Sequence, residues 1–306
     1  MNGSLRMKKN LKIGLAGLGQ MGSGVAKRLL QAGYDLHVYN RTEAKARVFE
    51  KDGAHVVRAP SELGECDYIL TMLSDDDATE EVVNGAEGFA PQMKVGATHI
   101  AMSTISVDLS AELAEQHSRS KQIYIAAPVL GRPDAAAQGR LSVFASASEA
   151  LTEEVEKLFS AFSQRVFHIP APAWRAHLVK IACNFMLGSA IETMAEAFAL
   201  TSKGGVPADL FLEIFSTTLF AAPAYKSYGS AIVESDYEPE QGFKMPLAAK
   251  DLRLVLAAAD ELQVPMPVAS AVRDRALEAL GRGFESLDWS ALGKLAAENA
   301  GFREAG

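Results

Sequence analysis

At 306 residues, 48% of them apolar and 22% charged, the chain has material for about two hydrophobic cores and no signature of disorder. A formal net charge of -8 speaks against a general nucleic-acid surface, and two cysteines, Cys66 and Cys183, make neither a disulfide framework nor a metal-ligand spacing and read as small buried hydrophobes. The opening MNGSLRMKKN leads into no apolar segment before the first strand, so no signal peptide is expected. The most apolar later stretch, residues 181–200, holds Asn184, Glu192 and Glu196 and reads as a buried helix rather than a membrane span, so a soluble cytoplasmic protein is the expectation.

Residues 11–16 form a short apolar run that reads as a buried parallel strand. Gly17-Leu18-Gly19-Gln20-Met21-Gly22 follows at once, before a helical pattern at Val25, Ala26, Leu29 and Leu30. Strand, glycine turn and helix in this order predict a dinucleotide site. Gly17 serves the tight turn, Gly19 the approach of backbone to a pyrophosphate, Gly22 close helix–strand packing, and the helix N-terminus faces the phosphates. Gly33 stops the helix, and residues 35–39 make the second strand. An NAD site ordinarily ends this strand in an acidic residue that holds the ribose 2′-hydroxyl. Here Asn40-Arg41-Thr42 stands instead, a guanidinium suited to a 2′-phosphate between two neutral hydrogen-bonding side chains that do not repel it. NADP (NADPH) is therefore the expected cofactor, ahead of NAD.

A short strand at 54–57 and a long apolar one at 66–73 follow, the second running into Ser74-Asp75-Asp76-Asp77. Three consecutive aspartates at a helix start read as capping and dipole matching, and no metal is expected there. Further strands are predicted at 97–102, ending in Ser103-Thr104, and at 123–127, 141–145 and 165–169. The alternation predicts an α/β fold with an N-terminal Rossmann-type doubly wound parallel sheet, so that the loops after Ala16, Tyr39, Leu73, Met102 and Ala127 share one crevice. Beyond residue 170 strand signals stop. Pro172 suits the first turn of a helix over 173–202, about 45 Å long, which Lys203-Gly204-Gly205 ends. Pro207 opens the next, and helices are predicted at 208–219, 247–262, 268–280 and 291–299. The expected organisation is a dinucleotide-binding domain over residues 1–170 and an all-helical substrate and oligomerisation domain over 171–306, joined by the long helix.

In that helix Lys180 and Asn184 lie one turn apart on one face, among Leu178, Val179, Ile181, Phe185 and Met186. Desolvation disfavours the ammonium, and the positive charge of an oxidised nicotinamide acts in the same direction, which is the tuning a general acid/base needs. Read alone, a lysine on an apolar helix more often extends its amine to solvent. His177, one turn earlier, reads as a packing residue.

Five blocks stand in order along the chain: GLGQMG from Gly17, MSTIS around Ser103-Thr104, APVLGRPDAAAQGRL from Ala127, the KxxxN pair Lys180 and Asn184, and KDLRLVL from Lys250. With them the chain resembles the β-hydroxyacid dehydrogenases, the family of 3-hydroxyisobutyrate dehydrogenase and the shorter relatives of 6-phosphogluconate dehydrogenase. The resemblance implies NADP(H) across the first domain, on the loop Gly17, Leu18, Gly19, Gln20, Met21 and Gly22 and on Asn40, Arg41 and Thr42. Leu73 and Thr104 would lie along the cofactor, and Lys250, helped by Phe243, would reach back to it. A small-molecule substrate would sit between the nicotinamide and the interdomain helix, near Ser103, Gly131 and Arg132. Lys180 would protonate a carbonyl oxygen in reduction or take a hydroxyl proton in oxidation, with Asn184 holding the substrate and fixing the lysine. A homodimer or homotetramer is implied as well.

Departures from the family pattern fall on the substrate loop. Its usual form is roughly DAPVSGG, whereas this chain reads Ala126-Ala127-Pro128-Val129-Leu130-Gly131-Arg132. A leucine replaces the serine expected to bind a carboxylate. Arg132, in place of a glycine, has the chemistry of a bidentate carboxylate clamp, and equally of a side chain that fills the site or pairs with Asp134. Trp174, Arg175 and Ala176 stand where the family has glycines. Imine reductases, another branch, typically lack the lysine, so Lys180 weighs against that reading. The expected function is an NADP-dependent dehydrogenase or reductase of a small hydroxy acid or aldehyde acid, such as succinic semialdehyde, glyoxylate or a 3-hydroxy acid. The alternatives are a reductase of uncharged carbonyls or imines and a non-catalytic NADP-binding protein.

Overall fold

A computed structural model describes residues 11–238 and 242–302. The chain forms two compact units that part between Lys180 and Ile181. The first begins with β1 (Lys12–Ala16), α1 (Gln20–Gln31), β2 (Asp35–Tyr39), α2 (Glu43–Arg47), β3 (His55–Val56), β4 (Tyr68–Thr71) and α3 (Asp76–Asn84). It continues through β5 (Thr98–Ala101), α4 (Val107–Arg119), β6 (Ile123–Ala126), β7 (Val129–Leu130), α5 (Pro133–Ala137), β8 (Leu141–Ala147), α6 (Glu153–Ser160) and β9 (Ser163–His168).

Six strands are parallel, in the order β3-β2-β1-β4-β5-β6. The strand order reverses at β1, and at such a switch point the loops leaving the carboxyl ends part to either side and open a crevice. Backbone hydrogen bonds carry the ladder one residue past the strand ends. The N–H groups of Gly17, Met72, Met102 and Ala127 donate to the carbonyls of Tyr39, Ala16, Thr71 and Ala101 at 2.8–2.9 Å. Four functional loops are thereby held side by side along one edge.

The doubly wound sheet is thus present, but it is parallel only through β6. β8 runs antiparallel to β6 and to β7, and β9 lies parallel to β8. β7 has two residues, too few to show an alternation in sequence. Gly131, with φ of +145°, then turns the chain into α5, a conformation open to glycine and strained for other residues. α5 lies hard against α1. A Cβ on Gly24 would come within 2.8 Å of Ala136 Cβ, so that glycine is what allows the approach.

The aspartate run caps a helix. Asp75 accepts from the Ala78 N–H at 2.8 Å, and Asp76 accepts from the Ser106 N–H at 2.9 Å, tying α3 to the start of α4. Cys66 is buried, and burial pushes its thiol up to about 12, so it is chemically quiet.

α7 (Arg175–Lys203) begins in the first unit and continues in the second, which adds α8 (Ala208–Ser216), α9 (Pro223–Glu234), α10 (Met245–Glu261), α11 (Pro267–Gly281) and α12 (Leu292–Asn299). α7 does not start at Pro172. That residue accepts from the Arg175 N–H in a tight turn before the helix begins. At the other end Gly205, with φ of +84°, closes it as expected.

α9 was not visible in the sequence. Its run PAYKSYGSAIVE is rich in weak helix formers, and its amphipathic signal is faint. Tertiary packing decides it: α9 lies close against α8, where a Cβ on Gly229 would stand 2.7 Å from Leu212 Cδ1 and the leucine would have to shift to admit it. The core of this unit gathers Met194, Phe198, Phe215, Met245, Leu252 and Leu292 around Trp289. Gly188 gives Trp289 its place, since a Cβ there would lie 2.2 Å from the indole.

By length and composition α7 could cross a membrane, with a mean hydropathy of 1.2. Within the fold it carries the buried Glu192, which accepts from Arg275 Nε at 2.6 Å, and this is the behaviour of a core helix.

Candidate active site

The glycine loop is built as its chemistry requires. Gly17 has φ of +101°, and a Cβ on it would lie 2.2 Å from the Met72 carbonyl oxygen. A Cβ on Gly22 would lie 1.9 Å from Gly17 O. Both positions exclude any side chain, the first by the β1–β4 contact and the second by the closeness of α1 to the loop. Around Gly19 a Cβ would meet nothing within 4 Å, so bare backbone faces open space there. Leu18 is buried in the sheet core and offers only its backbone, while Gln20 is exposed and Met21 half-buried. No side chain caps α1 and no acidic residue sits in its first turn, so its positive end is uncompensated by the helix itself. These residues fit a dinucleotide pyrophosphate.

Asn40 has a use the sequence did not reveal. Its Oδ1 accepts from the Leu18 N–H at 2.9 Å and its Nδ2 donates to Thr42 O at 3.0 Å. One amide therefore fixes both the glycine turn and the loop that carries Arg41. Arg41 and Thr42 are exposed at the carboxyl end of β2, and Thr42 leads into α2. Neither Tyr39 nor any of these three residues is acidic.

Leu73 and Ser103 are joined directly. Ser103 is buried, its Oγ accepts from the Leu73 N–H at 2.7 Å and lies 3.4 Å from Thr71 O. The hydroxyl expected beside the substrate is thus occupied in tying the ends of β4 and β5. Thr104 follows, half-buried, on the same edge.

Behind that edge lies a buried polar chain that no motif announced. Gln122 donates its Nε2 to the carbonyls of Ala90 and Met93, at 3.0 and 3.1 Å, so its Oε1 must accept from His117 Nδ1 at 2.7 Å. A neutral His117 then accepts at Nε2 from His99 Nδ1 at 3.0 Å, and His99 Nε2 accepts from the Thr71 hydroxyl at 3.0 Å. Both imidazoles are Nδ1–H tautomers, and a further proton on His117 Nε2 would set donor against donor at His99 Nδ1, whereas one on His99 Nε2 would require the Thr71 hydroxyl to turn and accept. Burial pushes both histidines down, His99 the further.

Unfolded histidines titrate near 6.5, so below that pH the unfolded chain takes up protons that the folded chain refuses, and stability falls with pH. Unfolding free energy is expected to drop by up to about 2.7 kcal/mol per pH unit from the two residues between pH ~6.5 and their folded values. Denaturant titrations at several pH values check this. His117→Gln should reduce the slope by about half, whereas a stability that is flat from neutral pH into this range contradicts the tautomer chain.

On the far side of the sheet edge, Leu130 is exposed, Gly131 turns the chain, and Arg132 is the residue that leads into α5. Through Gly24 and Ala136 that loop is braced on the helix that starts at the glycine loop.

Lys180 and Asn184 stand one turn apart on α7, and both are buried, at 7% and 4% exposure. Four residues along a helix places them on one face. Asn184 Nδ2 donates to Asp251 Oδ2 at 2.5 Å, which fixes the orientation of the amide. Asp251 is buried on α10, and Lys250 Nζ lies 3.3 Å from its Oδ1. The Lys250-Asp251 pair is therefore more than a charged helix surface, because its carboxylate anchors the asparagine of the KxxxN motif. The sequence could have flagged Asp251 only through its neighbour Lys250. Phe243 is held in the second unit: its N–H donates to Asp288 at 2.6 Å and its ring packs on Trp289 at 5.4 Å. His177 is buried as expected, with Nδ1 at 2.9 Å from Ser110 Oγ.

Residues 12–170 match the family model described as the NAD binding domain of 6-phosphogluconate dehydrogenase, and residues 175–296 match NAD-binding of NADP-dependent 3-hydroxyisobutyrate dehydrogenase. Over 283 residues the chain is 39% identical to the uncharacterized oxidoreductase YfjR of Bacillus subtilis (strain 168), covering 92% of this chain and 98% of that one. It is 32% identical over 283 residues to glyoxylate/succinic semialdehyde reductase 1 of Arabidopsis thaliana, with 92% and 97% covered. Among solved structures it is similar to 3-hydroxyisobutyrate dehydrogenase from Salmonella typhimurium, with a TM-score of 0.83 and 27% identity over 93% of this chain and 99% of that one.

Proposed function

The chain belongs to the β-hydroxyacid dehydrogenase family of NAD(P)-dependent oxidoreductases, and from that premise we propose that it is an NADPH-dependent reductase of small aldehyde acids with Lys180 as its proton donor. One observation carries the reading most: a buried lysine shares a helix face with an asparagine that Asp251 holds in place.

When bound, the nicotinamide supplies hydride from its C4 to the carbonyl carbon. The C=O π pair moves to oxygen, and Lys180 Nζ gives that oxygen its proton, so one hydride and one proton convert aldehyde to alcohol. Asn184, pinned by Asp251, holds the carbonyl oxygen toward the lysine. Burial keeps bulk water from competing for the developing alkoxide. Gly17, Gly19 and Gly22 admit the pyrophosphate, and Leu73 and Thr104 line the path of the cofactor. Lys250 and Phe243 are the further cofactor-binding residues in this reading. Ser103 shapes the site through Leu73. Arg132 clamps the substrate carboxylate in the loop turned by Gly131, which suits glyoxylate, succinic semialdehyde or a 3-hydroxy acid run in reverse. The similarity to a glyoxylate/succinic semialdehyde reductase supports this choice. Catalysis takes place in the cytoplasm, in a homodimer or homotetramer.

NADPH is favoured over NADH because Arg41, and no carboxylate, ends β2. Dissociation constants for NADPH and NADH on wild type and Arg41→Ala, at one salt concentration, test this. Loss of a charge-assisted pair worth about 1.5–3 kcal/mol weakens NADPH by roughly 10- to 150-fold and leaves NADH nearly unchanged. Equal binding of both cofactors, untouched by the substitution, contradicts it. Leu130, 37% exposed in the substrate loop, supports a second reading in which the substrate is an uncharged carbonyl. A higher kcat/KM for neutral aldehydes than for aldehyde acids of equal length would favour that reading.

A further inference from the structure

At the opposite end of β2 from Asn40 lies a second cluster with chemistry of its own. Asp35 and His37 are two residues apart on one strand, so their side chains emerge on the same face. The parallel register pairs His37 with His55 on β3, which brings a second imidazole beside the first. Asp35 Oδ1 is 3.5 Å from His37 Nε2 and 3.2 Å from His55 Nε2, and one ligand atom from each residue lies within 4.8 Å of the other two.

We propose that Asp35, His37 and His55 form a binding site for a divalent transition metal of the zinc class, separate from the dinucleotide edge. Two donors bound at about 2.0–2.2 Å in tetrahedral array stand about 3.3–3.5 Å apart, and both Asp35–histidine separations fall near that spacing. The two imidazoles stack with centroids 4.8 Å apart. His55, 63% exposed at its side chain, needs only a side-chain rotation on its solvent side to close the third edge of the triangle. His37 Nε2 is buried and makes no hydrogen bond, and a nitrogen left so in a folded protein asks for a partner. Two imidazoles and one carboxylate suit zinc, nickel or copper better than magnesium or calcium. Solvent on the His55 side supplies the remaining position. Lys12 is the register neighbour of Asp35 on β1 and is the cation that opposes the metal.

The role is a staple rather than a catalyst. β3 pairs with β2 through two residues only, and it forms the outer edge of the sheet. A metal bridging His55 to Asp35 and His37 crosslinks that edge to the strand whose far end carries Arg41. Neither ends the sequence run of a metal motif: the two histidines are 18 positions apart, and only the β2–β3 register brings them together.

The test is calorimetric titration of zinc chloride into the metal-stripped, tag-free full-length protein, in a buffer that does not bind metal, with thermal melts in parallel. The proposal expects one zinc per chain with a micromolar dissociation constant, at least tenfold weaker binding in His55→Ala and in Asp35→Asn, and a zinc-dependent rise in Tm that both variants lose. His55 is exposed, so its replacement leaves the metal-free melt in place, and NADPH affinity is unchanged in that variant. No saturable heat with the wild type overturns the site. So does zinc binding of the same stoichiometry and affinity in His55→Ala, because the metal then sits elsewhere, for example at the exposed pair His168 and Glu156.

Discussion

Replacing Lys180 by Ala is expected to lower kcat for aldehyde-acid reduction by about 10²- to 10⁴-fold, the usual worth of a positioned general acid, while NADPH binding is retained. The lysine is buried on the helix face it shares with Asn184. Without it the alkoxide formed by hydride arrival must draw its proton from water instead of from a positioned ammonium. A purely structural lysine would give a different pattern, with kcat and Tm falling together and cofactor affinity lost. Added small primary amines separate the cases further: they restore part of the rate if the missing group is a proton donor and do nothing if the defect is in packing. Stopped-flow measurement of NADPH oxidation, with cofactor affinity by fluorescence, reads both quantities. A variant that keeps its rate contradicts the assignment.

Gly17→Ala is expected to be strongly damaging, because it combines a left-handed backbone with a clash against backbone. The left-handed backbone costs an L-residue about 1–2 kcal/mol, and overpacking in a tight site adds about 1–3 kcal/mol. The added Cβ points at Met72 O from 2.2 Å, and the two backbones cannot part without breaking the Met72 N–H bond to Ala16. Tm should fall, and the NADPH dissociation constant should rise by at least tenfold, because the turn, Leu18 N–H and Asn40 move together. Gly19→Ala is the internal control. A Cβ there meets no protein atom within 4 Å, so stability is kept while the methyl occupies space where the pyrophosphate approaches. Normal NADPH affinity in both variants would refute the placement of the cofactor on this loop.

Parts of this arrangement were legible in the residues because they obey short-range rules. The strand–glycine–helix order, the aspartate cap on α3 and the glycine stop of α7 each depend on a few neighbours, and all three stand in the structure. What escaped depends on partners far along the chain. β7 has two residues and exists because β8 returns to it, and α9 is held by its packing on α8 at Gly229. Asn40 reads as a ligand to a phosphate until the fold brings Leu18 N–H to its oxygen. Ser103 reads as a free hydroxyl until β4 lies beside β5. The histidine chain from Thr71 to Gln122 draws on β4, β5, α4 and the turn before β6, and has no periodicity to betray it. Asp251 was written next to Lys250, yet its service to Asn184 lies 67 residues away.

Steady-state kinetics of the wild type with glyoxylate and succinic semialdehyde, each with NADPH and with NADH, bears most directly on the proposed activity. The proposal expects turnover of at least one of these aldehyde acids with a kcat/KM at least tenfold higher for NADPH, and a KM that rises when Arg132 is replaced by Ala. Absence of turnover of any carboxylated aldehyde with either cofactor, in protein that binds NADPH, would contradict it.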